Sequence, residues 1–196
     1  MHGKTLAFAL VASLSILSCS KDETGPPPVT ADLLITQGWQ AFAGKNYPGA
    51  VDKFVAALRL DASKVDAYNG EGWSYARENG LDSSAALFVR GWRRDSTNLQ
   101  VNAGLAVVYN AQKDYSSSIA RGAYVLQVQP QWSFGRDTSV NSFDLNILLA
   151  EGYFALADFS SSLARVKVLN PAFNADITQI SGQTALANEI ERLSHL

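Results

Sequence analysis

The side chains that could carry out catalysis or bind a metal are few and widely separated in this chain. The two histidines, His2 and His195, lie at opposite ends, and Cys19 is the single cysteine. One cysteine excludes an internal disulfide and a cysteine-cluster zinc site. The carboxylates are spread along the chain, and the close pair Glu189 and Glu191 points in different directions on a helix. With no phosphate-binding glycine loop either, we predict no enzymatic activity, no cofactor and no metal.

Composition narrows the class of protein further. The chain has 196 residues, of which 47% are apolar and 17% charged, and its formal net charge is −2. This length is sufficient for one domain with a sizeable core. Nucleic-acid-binding proteins usually carry a clear excess of basic residues, so a nucleic-acid partner is not expected.

The residues before Cys19 have the pattern of a targeting signal. Thr5 to Leu17 is an uncharged stretch of 13 residues that follows Lys4, and it is shorter than the ~20 residues of a membrane-spanning helix. The sequence Ile16-Leu17-Ser18-Cys19 resembles the lipobox of bacterial lipoproteins, although Leu17 stands where smaller residues are commoner. The resemblance implies cleavage of residues 1–18 and acylation (palmitate) of Cys19, which anchors the protein to a membrane. The alternative is an ordinary signal peptide with an incidental cysteine.

Residues 19–30 are predicted to form a tether. The three prolines at 26–28 favour an extended polyproline II spacer between the lipid and the folded part. Ser20 resembles the residue found after the cysteine in outer-membrane lipoproteins. Lys21-Asp22-Glu23 resembles a short surface-export signal, with a solvated linker as the alternative. We therefore expect an outer-membrane lipoprotein of the cell envelope, with periplasmic or surface orientation left open.

The following sequence repeats with a period of 34 residues. Gly38-Trp39 recurs as Gly72-Trp73, Phe54 as Phe88, and Tyr75 as Tyr109. The period and residue types resemble the tetratricopeptide repeat (TPR), in which two helices, A and B, approach through small residues beside large ones. The resemblance implies an all-α, right-handed solenoid of about four helix-turn-helix units with a C-terminal capping helix. A generic antiparallel helical bundle is the alternative.

The period predicts where the units lie. They cover residues 31–64, 65–98, 99–132 and 143–172, with an insertion at 133–142 and the capping helix within 173–196. In the third unit Gly122 stands where a large side chain is usual, and Tyr124 or Val125 is expected to compensate. The insertion is either functional or a loop that covers a hydrophobic seam. Arg90, Arg93 and Arg94 either complement a helix C-terminus or bind phosphate or lipid head groups.

The TPR resemblance also implies which side chains of the A helices line the concave surface. The predicted partner-binding groove consists of Trp39, Phe42, Asn69, Trp73, Arg77, Asn110, Glu151 and Phe154. We expect Trp39 and Trp73 to stack one repeat apart as exposed anchors. In the alternative, Trp39, Phe42 and Phe154 pack against neighbouring helices instead. No lysine occupies the inner positions, so the lysine clamp of chaperone-binding TPR proteins is not expected.

These features together predict a protein-interaction scaffold or adaptor in the cell envelope, which binds peptide segments or helices of protein partners in its groove. The alternative is a surface or periplasmic glycan-binding lipoprotein that uses aromatic stacking.

Overall fold

The computed structural model describes residues 28–196, and this part of the chain forms nine α-helices. Their bounds are α1 Ala31–Ala43, α2 Tyr47–Leu60, α3 Val65–Arg77, α4 Leu81–Trp92, α5 Leu99–Ala111, α6 Tyr115–Val128, α7 Ser142–Ala155, α8 Phe159–Leu169 and α9 Ile180–Ser194. The predicted all-α class is confirmed. The predicted signal peptide, Cys19 and most of the tether lie outside the described residues. No helix within residues 28–196 is long and apolar enough to span a bilayer.

The helices form four consecutive hairpins, α1/α2, α3/α4, α5/α6 and α7/α8, followed by the single helix α9. The A helices α1, α3, α5 and α7 contact one another in order, and α9 continues their row. The B helices α2, α4, α6 and α8 contact no other B helix in the described part of the chain. Because the A helices contact one another along the array whereas the B helices do not, the stack curves toward the A helices and they form its concave face.

Each hairpin turns through one residue in the left-handed backbone region. These residues are Lys45, Asn79, Lys113 and Ala157, with φ between 59° and 64°. The next residue is the N-cap of the B helix. In three hairpins its side chain caps the new helix: Asn46, Asp114 and Asp158 each accept a hydrogen bond from the backbone N–H three residues later. This repeated turn places the two helices of every hairpin in a similar relation.

Aromatic rings from the B helices fill the space between successive A helices. A Cβ atom on Gly38 would lie 2.6 Å from the Phe54 ring, and one on Gly70 of the next hairpin would lie 2.2 Å from it. Phe88 has the same relation to Gly72 and Gly104, at 2.9 and 2.3 Å. Both rings are fully buried. Only glycine leaves room on both sides of such a ring, so these pairs fix the spacing between hairpins.

In the third unit, an aliphatic side chain takes the place of the aromatic ring. A Cβ on Gly122 would lie 2.8 Å from Cδ1 of Leu149, which comes from α7 of the following hairpin. The expectation that Tyr124 or Val125 compensates for the missing large residue is therefore wrong as regards Tyr124, which hydrogen-bonds Thr97 at 3.5 Å instead. Val125 is buried in the core, but the space itself is filled from the next unit.

The capping helix α9 covers the apolar face that the fourth hairpin leaves. Leu186, Ile190 and Leu193 pack with Ile147 and Val166 in a separate core cluster. A polar contact holds α9 to the end of α8, since Asn170 Nδ2 donates to Glu189 Oε1 at 2.8 Å. Hydrogen bonds from Arg192 and Asn170 lower the pKa of Glu189 to about 2. The predicted capping role of the last helix is confirmed.

In the last hairpin the residue in the left-handed region is Ala157, and replacing it tests the role of this backbone conformation in the turn. We expect Ala157→Gly to stabilise the protein by about 0.5–1 kcal/mol, because glycine removes the left-handed strain at some entropic cost. The control Ala164→Gly, at an exposed position inside α8, should destabilise by about 0.5–1 kcal/mol. Urea unfolding followed by circular dichroism measures both. Equal loss of stability in the two variants would contradict the turn assignment.

Candidate functional site: the concave face

The insertion divides the eight predicted groove residues into two groups. Over the first two A helices it lies against a surface that we call the covered half. This half consists of the buried Trp39, Phe42, Asn69 and Trp73 and of the exposed Arg77, which pairs with the insertion. The remaining three, Asn110, Glu151 and Phe154, lie on α5 and α7. With the neighbouring face of α9 they form a surface that we call the open half.

The insertion is a compact loop with its own hydrogen bonds. Phe134 N donates to Val140 O at 2.8 Å, and Ser142 N donates to Trp132 O at 2.7 Å. At its tip, the backbone N and the Oγ of Ser139 both donate to Asp137 Oδ1. Because these bonds are made within the loop, the loop presents side chains rather than backbone groups to the A helices.

Phe134 is the side chain that the insertion places against the concave face, and it is 1% exposed. Its ring stacks on Trp73 with centroids 4.6 Å apart and meets the edge of Trp39 at 6.0 Å. It also contacts Phe42 and Trp132. The prediction that Trp39 and Trp73 stack on each other is wrong, because both indoles instead contact Phe134.

The contact with Phe134 leaves the predicted aromatic groove residues of the covered half with little solvent exposure. Trp39 is 4% and Trp73 is 2% exposed, and Phe42 and Asn69 are buried as well. These aromatic side chains therefore belong to the core. For Trp39 and Phe42 this agrees with the alternative of packed aromatics, although their neighbours include Phe134 of the insertion as well as helices. The insertion covers a hydrophobic seam, which is one of the two interpretations left open by the sequence. A binding role for the covered residues stays a prediction.

The charged groups of the covered half are paired within the chain. Arg77 forms an ion pair with Asp137 of the insertion, and Arg136 lies over the Trp39 ring at 5.0 Å and 4.0 Å from Asp66. Burial opposes ionisation of Asp137, but hydrogen bonds from Ser139 and the charge of Arg77 outweigh it and lower its pKa. The insertion and the A helices are thus complementary in charge as well as in shape.

Several polar atoms beneath the insertion have no hydrogen-bond partner among the described residues. They are Asn69 Oδ1, Trp73 Nε1 and Trp132 Nε1. A buried polar group left unpaired costs about 1–3 kcal/mol. These atoms do not help to hold the insertion; its hydrogen bonds to α1 and α3 come from Arg77, which donates to Asp137 and Ser139.

The open half has a different character. Asn110 Nδ2 donates to Glu151 Oε2 at 3.0 Å, which joins α5 to α7. Phe154 is partly buried against Phe159. Beside these residues lies a cavity of about 260 Å³ between α7 and α9. Its lining consists of Glu151, Phe154, Ala187, Ile190, Glu191 and Ser194. The sequence interpretation missed the four residues from α9, although their spacing places them on one helical face.

Contacts within the chain account for the positions of two of the three arginines near the end of α4. The guanidinium groups of Arg90 and Arg94 lie 4.9 and 4.4 Å from the centroid of the buried Tyr68 ring. Arg94 Nε also donates to Ala62 O at 2.6 Å, which ties two hairpins together. Packing on Tyr68 therefore accounts for their position without a phosphate ligand. Within residues 28–196, no cluster of three or more His, Cys, Asp or Glu side chains is arranged to hold a metal.

Comparison with known proteins identifies the fold. No protein-family model matches the chain, and no curated protein matches it significantly. Solved structures do match. A MamA point mutant is similar over 85% of this chain and 96% of its own, with a TM-score of 0.65 and 15% identity. The first TPR of Spaghetti (RPAP3), bound to an HSP90 peptide, matches over 65% and 94%, with a TM-score of 0.58 and 16% identity. The Arabidopsis OM64 TPR domain matches over 52% and 84%, with a TM-score of 0.50 and 15% identity. The fold is that of a TPR solenoid.

Phe134 should control the exposure of the covered half. We expect Phe134→Ala to destabilise the protein by about 3 kcal/mol, because a large buried ring is lost. Trp39 and Trp73 should become more exposed, with red-shifted tryptophan emission and stronger acrylamide quenching. The control Thr138→Ala changes an exposed residue of the same loop and should leave both unchanged. Emission of Phe134→Ala identical to wild type would contradict the contact.

Proposed function

We propose that this protein is an envelope-anchored TPR scaffold that binds segments of protein partners on its concave face. The observation that carries the proposal is the insertion itself. The face of α1 and α3 holds a non-helical segment through an aromatic anchor, Phe134, and an ion pair, Arg77–Asp137. These are the contacts by which a bound peptide is commonly recognised. The peptide named with the RPAP3 structure supports this use of the fold.

The anchoring part of the proposal rests on the N-terminal sequence. A 13-residue apolar stretch ends at the lipobox-like Ile16-Leu17-Ser18-Cys19, and α1 begins at Ala31, directly after the proline-rich tether. Acyl chains on Cys19 would hold the solenoid at the outer membrane, with the tether as a spacer. The partners are then proteins of the same envelope compartment.

Within residues 28–196, no contact favours glycan binding through the two tryptophans. A stacking platform needs an open ring face, and the Trp73 ring is stacked with Phe134 while Trp39 is flanked by Phe42, Phe54 and Phe134. A non-catalytic role is likewise part of our proposal and rests on the scattered titratable groups.

Site-specific cross-linking in cells tests partner binding. A photo-reactive amino acid is placed at Gln40 on the edge of the covered half, at Ala187 in the open half, or at the control position Lys53 on the B helix α2. We expect a discrete protein adduct from at least one concave position and none from Lys53. Absence of any protein adduct from both concave positions would overturn the scaffold proposal.

Lipidation is tested separately. We expect wild-type protein to fractionate with membranes and to incorporate labelled palmitate, whereas Cys19→Ala should lose the label and move to the soluble fraction, because the acyl chains supply the membrane affinity. The control Ser20→Ala changes the adjacent residue and should behave as wild type. A Cys19→Ala protein that still partitions with membranes would refute the anchor.

A further inference from the structure

We infer that the open half binds a positively charged amphipathic helix of a partner protein, one whose Lys or Arg side chains flank apolar anchors. This inference rests on the proposed function, because it names the region of the concave face and the chemistry of the partner.

The charge of the open half is not balanced within the described chain. Glu151 and Glu191 line the cavity between α7 and α9, and neither forms an ion pair with a described residue. Among the described residues, Glu151 accepts a hydrogen bond only from a neutral amide, that of Asn110. In the covered half, by contrast, Arg77 and Arg136 face Asp137 and Asp66. The uncompensated carboxylates call for cationic groups on a partner.

The same place offers apolar surface. Phe154, Ala187 and Ile190 contribute the apolar part of the 260 Å³ cavity. This volume lies below the ~300–1,000 Å³ of pockets that enclose small-molecule ligands. It suits an apolar side chain carried by a larger partner, with the two glutamates at its rim.

The groove continues along α7 and α9. A second cavity, of about 450 Å³, lies between these helices and the insertion, with Ile147 and Leu193 among its lining residues, and it shares Ser194 with the first. Ile147 and Phe154 are seven residues apart on α7, which is two turns or about 10 Å. A helix with apolar anchors at positions i and i+7 matches this spacing. Asp144, beside the second cavity, adds a further carboxylate, which caps the N–H of Asn141.

The carboxylates also argue against a lipid occupant. An anionic membrane surface would be repelled by Glu151 and Glu191, and attraction to such surfaces requires Lys or Arg. The partner is therefore a protein with cationic side chains.

A binding experiment with designed peptides tests the chemistry. The probe is an 18-residue amphipathic helix of Leu and Lys, with a Leu and Glu helix of identical spacing as comparison. The protein is the full mature chain carrying Cys19→Ser, and fluorescence anisotropy measures Kd. We expect the Leu/Lys peptide to bind, more weakly as salt screens the charges, and the Leu/Glu peptide not to bind.

Paired variants locate the site. The double variant Glu151→Gln/Glu191→Gln should weaken binding of the Leu/Lys peptide at least tenfold. The matched control Asp52→Asn/Glu78→Gln removes the same charge from exposed positions elsewhere and should change Kd less than twofold. Equal weakening in both double variants, or no weakening in the first, would overturn the inference.

The cross-linking positions separate this inference from the proposed function. Adducts of a protein partner at Ala187 that are lost in Glu151→Gln/Glu191→Gln support the inference. Adducts at Gln40 but not at Ala187 would overturn the inference and leave the scaffold function standing.

Discussion

The rings of Phe54 and Phe88 each lie between two glycines, one in their own hairpin and one in the next. The spacing of the first three hairpins depends on this contact, because it sets how closely one hairpin approaches its neighbour. Close approach of the A helices, without contact between B helices, produces the curvature and hence the concave face. Where the third unit lacks the aromatic, Leu149 of the next hairpin enters the same space beside Gly122. The spacing is thus preserved by volume rather than by residue identity.

The concave face that results is not uniform. Over α1 and α3 it is closed by Phe134 and by the ion pair between Arg77 and Asp137, so its aromatic side chains contribute to stability. Over α7 and α9 it stays open and carries Glu151 and Glu191, neither of which forms an ion pair with a described residue. In the covered half, charged and aromatic side chains are therefore paired within the chain. In the open half, carboxylates and apolar surface remain without such partners among the described residues. This division is the physical basis for the proposed site of partner binding.

Much of the fold could be predicted from residue spacing, and less of the site. The recurrence of Gly38-Trp39 as Gly72-Trp73 located two A helices, since each repeat packs only on its neighbours at fixed separations. The eight groove residues were placed on the correct helices by the same logic. Their exposure was not predictable, because it depends on Phe134, 61 residues beyond Trp73 in a segment without periodicity. The lining residues of α9 were missed because a capping helix has no counterpart in the repeat.

By itself the sequence determined the helical class, the 34-residue repeat of the hairpins and the small residues beside Phe54 and Phe88. Each of these follows from local backbone preferences or from contacts between adjacent units, which leave a period in the sequence. Only the tertiary structure decided which part of the concave face is accessible. That outcome depends on one non-repeating loop folding back across α1 and α3, and on the balance of aromatic packing and charge pairing at long sequence separation.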